Sequence, residues 1–130
     1  MIKGHNFREL IIWQESMKLV KKIYECSSKL PSDERFGLIS QVNRCSISIP
    51  SNIAEGSGRS TEKEFVRFLE IAISSSYELE TQIILISDLY DFDNKNLLED
   101  LRILQNKIGA FKRKLKGEMN QDLIEKNKLS

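Results

Sequence analysis

The sequence predicts an all-α fold, an antiparallel up-down four-helix bundle, and three observations carry that prediction. Apolar residues recur every three and four positions through four stretches, the period of a helix face rather than of a strand. The connections between those stretches are short and hold helix stop and start signals, which makes successive helices antiparallel neighbours. Two prolines and six glycines in 130 residues leave few tight turns for an all-β alternative.

Residues 1–6 are expected as a short arm, residues 7–116 as the bundle and residues 117–130 as a polar tail, frayed or forming a short appended helix. From Phe7 the apolar residues Leu10, Trp13, Met17, Val20 and Tyr24 step at helical spacing, with a second line through Ile12, Leu19, Ile23, Cys26 and Leu30. Leu30-Pro31 ends this first helix, because the residue before proline is pushed out of helical geometry. Ser32 and Asp33 are the expected start signal of helix two, and Gly56-Ser57-Gly58 its glycine-capped stop.

Thr61 with Glu64 forms a capping-box pattern for helix three, expected to run to Leu89 or Tyr90. Phe65, Leu69, Ala72, Ser76, Leu79, Ile83, Ile86 and Tyr90 make its heptad line. Phe68, Ile71, Ile73, Tyr77, Ile84, Leu85 and Leu89 lie on its other faces. A helix so apolar around its circumference is expected to be covered on more than one side, and hence the chain to self-associate. Asp91-Phe92-Asp93-Asn94 is the next turn, Asn96 with Glu99 the expected cap, and Leu97, Leu101, Leu104, Ile108, Phe111 and Leu115 the stripe of helix four.

The stretch Arg44–Arg59 stands out. Leu38, Val42, Cys45, Ile49 and Ile53 keep the helical period across Pro50, although an interior proline removes a backbone bond and clashes with the preceding turn, costing about 3 kcal/mol. A supported kink is expected there, with Ser46, Ser48 and Ser51 available to bond freed carbonyls. Gln41, Ser48, Asn52, Glu55 and Arg59 fall along one polar face of the same helix.

Composition excludes several classes. The net charge of +1 provides no global field towards nucleic acid or membrane, so either partner would have to meet a local patch. No apolar run approaches the roughly 20 residues needed to span a bilayer. Met1 to Leu10 is polar, with no signal-peptide pattern, and Cys26 and Cys45 fall on apolar helical positions as a reduced pair; a cytoplasmic protein is expected.

The single histidine, His5, lies in the arm, which leaves the body without a histidine-paired nucleophile or an ordinary zinc site, and no phosphate-cradling glycine loop is present. No enzyme, metal or cofactor is expected. Glu78 and Glu80 in helix three and Arg44 in helix two lie among apolar residues. One reading is a buried acid poised for proton transfer; the favoured one is an Arg44–Glu78 or Glu55–Arg67 pair that fixes helix register.

Charge is uneven. Residues 61–91 carry two cations against seven acids, and residues 93–116 seven cations against three acids. Lys107, Lys112, Arg113, Lys114 and Lys116 form the dense basic cluster, which with Arg59 would contact phosphates or, alternatively, complement the helix dipole as a solvated end.

Particular residues also carry a resemblance. Phe7-Arg8-Glu9-Leu10 with Trp13-Gln14, Leu30-Pro31 with Glu34-Arg35-Phe36-Gly37-Leu38, and Gln41 with Arg44 belong to one pattern. So do Ser46-Ile47-Ser48-Ile49-Pro50-Ser51-Asn52-Ile53-Ala54-Glu55-Gly56, Arg59, Phe65, Phe68-Leu69, Ala72 and Ser75-Ser76-Tyr77-Glu78-Leu79-Glu80-Thr81. Together they resemble the bacterial four-helix bundle family encoded in intervening sequences of large-subunit ribosomal RNA genes, to which the accessory variability-determinant proteins of diversity-generating retroelements are similar in fold. The resemblance implies a ring-like homopentamer, with structured RNA or DNA, or a nucleic-acid enzyme, as partner. It places Pro50, Asn52, Glu55 and Gly56 within the family's motif, beside Arg44 and Glu78. A protein-interaction adaptor docking through Gln41, Asn52, Glu55 and Arg59 is the alternative.

Overall fold

The structure, a computed structural model, describes residues 5–129, and these contain four α-helices and no strand. They are α1 (Ile11–Ser27), α2 (Leu38–Ser57), α3 (Glu62–Tyr90) and α4 (Lys95–Leu129), with single 3₁₀ turns at Phe7–Glu9 and Ser32–Glu34. Each helix packs on the next, most extensively α2 on α3, and α1 closes against α4. The pairing is antiparallel: Glu15 meets Lys107 near the start of α1, and Lys22 meets Asp100 further along it, both at 2.5 Å.

The core forms where the helical stripes converge. In α3 the heptad residues Phe65, Leu69, Ala72, Ser76, Leu79, Ile83 and Ile86 are all buried, whereas Tyr90 leaves the core and donates its hydroxyl to Glu34 at 2.5 Å. From α4 come Leu101, Leu104, Ile108 and Leu115. In α1 only the second apolar line enters, through Ile12, Leu19 and Ile23; the Trp13, Met17, Val20 and Tyr24 line stays partly exposed.

Several helix ends differ from expectation. The first helix begins at Ile11 rather than Phe7, because Asn6 accepts the Arg8 amide at 3.2 Å and organises a separate 3₁₀ turn. Ser32 and Asp33 belong to the second 3₁₀ turn, and α2 starts after Gly37, whose ψ of −113° leaves helical geometry. The Thr61 cap is present, its hydroxyl accepting the Glu64 amide at 3.2 Å. At α4 the start lies at Lys95, so Asn96 is inside the helix. Asp93 accepts the Lys95 amide at 3.1 Å, and Asn94 reaches back to the Ile83 carbonyl at 2.8 Å. Asp91 closes α3 in the left-handed region, at φ 50°, a conformation that Asp tolerates better than most residues.

Other expectations also change. The α2 helix runs unbroken through the buried Pro50, and none of the three serines props a kink as expected: Ser46 donates to the Asn43 carbonyl at 2.8 Å, and Ser48 bonds across to Ser75. The polar tail from Gly117 is a continuation of α4 without a break, since one glycine in a run of good helix formers costs only about 1 kcal/mol. Residues 1–4 of the expected arm and Ser130 lie outside the described residues. His5 is packed, its ring 5.1 Å from that of Phe65 and 6.1 Å from that of Phe111.

Gly56 is not a stop. It lies inside α2, and Gly58 ends the helix with φ −89°, so neither adopts the left-handed cap. A Cβ at Gly56 would stand 2.6 Å from Cβ of Phe68 and 2.9 Å from the Phe65 ring. Glycine at this position lets α2 approach α3. Gly56→Ala is therefore expected to destabilise the fold by about 1–3 kcal/mol, the usual cost of overpacking. Gly117→Ala, with nothing within 4 Å of the added atom, is expected to stabilise it by up to about 1 kcal/mol. Urea unfolding of both variants checks this; a neutral Gly56→Ala would show that the two helices can separate freely.

Candidate functional site

Part of the motif converges on the groove between α2 and α3. From α2 come Gln41, Arg44, Cys45 and Ser48, and from α3 Ser75 and Glu78, around a cavity of about 280 Å³. Its floor is hydrogen-bonded: the Ser48 and Ser75 hydroxyls lie 2.8 Å apart, and Asn52 donates its amide to both the Ser48 hydroxyl (3.0 Å) and the Ser48 carbonyl (2.7 Å). The Cys45 thiol donates to the Ser75 carbonyl at 3.0 Å. Burial, with the Glu78 carboxylate close by, pushes that thiol up to about 12, so it stays protonated as a donor.

Arg44 and Glu78 share this groove but do not pair, and both are exposed rather than buried. The expected Arg44–Glu78 register pair is absent among the described residues, and so is the Glu55–Arg67 pair. Glu55 instead binds Arg59 on its own helix at 3.0 Å, an i,i+4 arrangement available without any tertiary contact. The inter-helix ion pairs fall between α1 and α4, at Glu15–Lys107 and Lys22–Asp100. Four oppositely charged residues among many on exposed faces gave no sequence signal to single them out. The polar face of α2 is likewise divided, with Asn52 turned into the floor and Glu55 and Arg59 at the end of the helix.

The basic residues gather at the end of the bundle where α2 passes into α3 and α4 meets the start of α1. They do not make one patch. At about 100° per residue, Lys107 and Lys114 share the α1 flank, where both border an apolar groove with Leu10, Ile11 and Phe111. Lys112 and Lys116 fall on the opposite flank, and Arg113 faces away from the core. Lys107 is held by Glu15, and Arg59 is held by Glu55 and lies 4.7 Å over the Phe68 ring. Lys112, Arg113, Lys114 and Lys116 make no ion pair with a described residue.

Acids also reach this end. Glu62 opens α3, and its Oε2 is buried with no hydrogen-bond partner among the described residues. Burial raises its carboxyl above the ordinary range, the charges of Glu118 and Asp122 on α4 raise it further, and His5 partly opposes them. Those effects outweigh the pull of the α3 dipole, which favours a negative charge in the first turn.

Two apolar surfaces remain uncovered. Trp13, Met17 and Val20 of α1 and Ile47, Pro50 and Ala54 of α2 line a shallow uncharged groove. Across the bundle, α3 exposes Tyr77 (58 %) and Ile84 (43 %) on the flank that carries Glu80, whose carboxylate accepts Gln105 of α4 at 2.9 Å. Among the described residues no helix is long and apolar enough to cross a membrane, and no cluster of His, Cys, Asp or Glu is placed to hold a metal ion.

The protein-family model described as 23S rRNA-intervening sequence protein matches residues 8–117. Among solved structures, the chain is similar to a protein with unknown function from the S23 ribosomal protein family of Bacteroides thetaiotaomicron VPI-5482. The two share 19 % identity over 78 % of this chain and 94 % of that one, with a TM-score of 0.64. No curated protein matches the chain.

The Glu62 cluster has a testable consequence. A carboxyl that binds its proton more tightly when folded favours the folded state below about pH 4.3, the unfolded glutamate value, and that contribution is lost as pH rises through the raised folded value. At neutral pH, Glu62→Gln is expected to raise the thermal midpoint, and the gain is expected to shrink on acidification to pH 4. A gain of equal size at both pH values would remove electrostatics as its cause.

Proposed function

This chain belongs to the 23S rRNA-intervening sequence protein family, and on that premise we propose that it is a non-enzymatic, self-associating helical scaffold, a homopentamer that binds structured RNA or DNA. The observation that carries the scaffold reading is the pair of unlike apolar surfaces on opposite sides of one bundle, the α1/α2 groove and the Tyr77–Ile84 flank of α3. Two different faces that complement each other generate a head-to-tail contact, which closes into a ring when the rotation permits; a two-fold dimer would use one face twice. Five subunits is the count that the family resemblance implies.

Nucleic acid is assigned to the Arg59 end. Lys112, Arg113, Lys114 and Lys116 are the cations there without an ion-pair partner among the described residues, so a phosphate need not displace an acid to reach them. Arg59 and Lys107 would have to release Glu55 and Glu15 first. Repetition around a ring would multiply a weak patch into a multivalent one. A nucleic-acid enzyme is a further partner of the same scaffold.

Introducing a charge on one apolar face at a time tests the assembly. Ile47→Glu and Tyr77→Glu are each expected to give smaller species by light scattering, and an equimolar mixture of the two to give a heterodimer through the one intact contact. A wild-type protein that is monomeric at micromolar concentration would end the scaffold reading.

For nucleic acid, affinity for structured RNA or DNA is expected to fall steeply from 50 to 200 mM salt. Lys112→Glu with Lys116→Glu is expected to weaken binding and flatten that dependence. Binding that ignores ionic strength, or a protein partner still captured after nuclease treatment, would favour the adaptor reading through Gln41, Asn52, Glu55 and Arg59.

A further inference from the structure

The α2/α3 groove offers one cation, one anion and a pair of hydroxyls to whatever enters it. Arg44 on one wall and Glu78 on the other, the latter beside the Cys45 thiol, are exposed and make no ion pair with each other or with another described residue. Between them, at the floor, lie the Ser48 and Ser75 hydroxyls. Asn52 Nδ2 can only donate, so Ser48 Oγ accepts there at 3.0 Å. Ser48 and Ser75 then share one of their two hydroxyl protons across 2.8 Å. The remaining proton, on whichever serine does not donate, has no acceptor among the described residues; Ser48 is half-buried and Ser75 buried. That proton is available to any acceptor that enters the groove, water or ligand.

Size and chemistry restrict what could enter. The cavity of about 280 Å³ lies below the roughly 300–1,000 Å³ of sites that enclose drug-sized ligands, so it takes one small molecule. One cation and one anion line it, which suits neither an isolated phosphate nor a polycation. No aromatic ring lines it, so an unpaired base has nothing to stack on. A ligand that carries both signs meets both walls.

We propose that this groove binds a small zwitterion of the α-amino-acid class, its carboxylate held by Arg44 and the floor serine hydroxyl, its ammonium by Glu78, with Gln41 at the rim. The arginine fork suits a carboxylate. Removing either charge from the ligand would leave one wall charge unanswered, and binding should then weaken sharply. The site is separate from the α4 cations, so it stands or falls independently of nucleic-acid binding.

The full chain, isotopically labelled, is titrated by NMR with free amino acids, with N-acetylglutamine (no ammonium), with glutaminamide (no carboxylate) and with guanosine monophosphate. At least one free amino acid is expected to shift the amides of Cys45, Ser48, Ser75 and Glu78. Free glutamine is expected to bind tenfold or more tightly than either derivative. Arg44→Gln and Glu78→Gln are each expected to abolish the shifts while leaving the thermal midpoint and the oligomeric state as they are. The proposal is overturned if no amino acid shifts these amides, if the two derivatives bind as well as glutamine, or if the nucleotide alone occupies the groove. Two further results would overturn it: strong coupling of Arg44 and Glu78 in a double-mutant stability cycle, showing that the charges answer each other, and breakdown of the assembly in either single variant, showing a subunit contact.

Discussion

The fold depends on how closely α2 can approach α3. Gly56 removes the side chain that would collide with Phe68, and Ser48, Ser75 and Cys45 keep the seam narrow further along. The small polar groups bond across the seam instead of filling it, which lets two backbones come close. Phe65, fully buried at the same end, then packs against Phe111 of α4 at a centroid distance of 5.5 Å. Through that ring the position of α4 is set by the contact between α2 and α3. The α1–α4 edge is looser and is pinned by two ion pairs whose partners are partly exposed, a type of contact that adds little stability, typically under about 1 kcal/mol.

The same seam decides which residues remain for function. Turning Cys45 and Ser75 inward puts Arg44 and Glu78 on facing walls of a polar groove. Placing the core stripe of α1 on Ile12, Leu19 and Ile23 leaves Trp13, Met17 and Val20 beside Ile47 and Pro50. A bundle of four helices buries one stripe on each; α1 and α3 carry more apolar surface than one stripe accounts for. That excess, divided between opposite sides, is what supports the proposed assembly through unlike faces.

Charge tells a more restrained story. A dense run such as Lys112-Arg113-Lys114 reads as a patch along the chain, but a helix turns about 100° per residue and spreads it around a circumference. Glu15 and Glu55 occupy two of the six cations first considered, and Glu62, Glu118 and Asp122 sit at the same end. The resulting surface is mixed in sign, consistent with the chain's net charge of +1, and any phosphate contact there relies on a few free cations and on their repetition.

The sequence by itself determined the four helices, the α3 cap at Thr61, and the core stripes of α3 and α4, because these are local properties: apolar spacing and a side chain within reach of its own backbone. It also held the family pattern, since that pattern is a string of residues. Only the tertiary structure decided that Gly56 is a point of close approach and not a stop, that Glu55 answers Arg59 and not Arg67, and which of two apolar lines on α1 faces inward. It also showed α4 running on through Gly117 and capped by Asp93 rather than Asn96. Most of these depend on which neighbour stands opposite a side chain, and a periodic pattern on one helix does not contain the position of another.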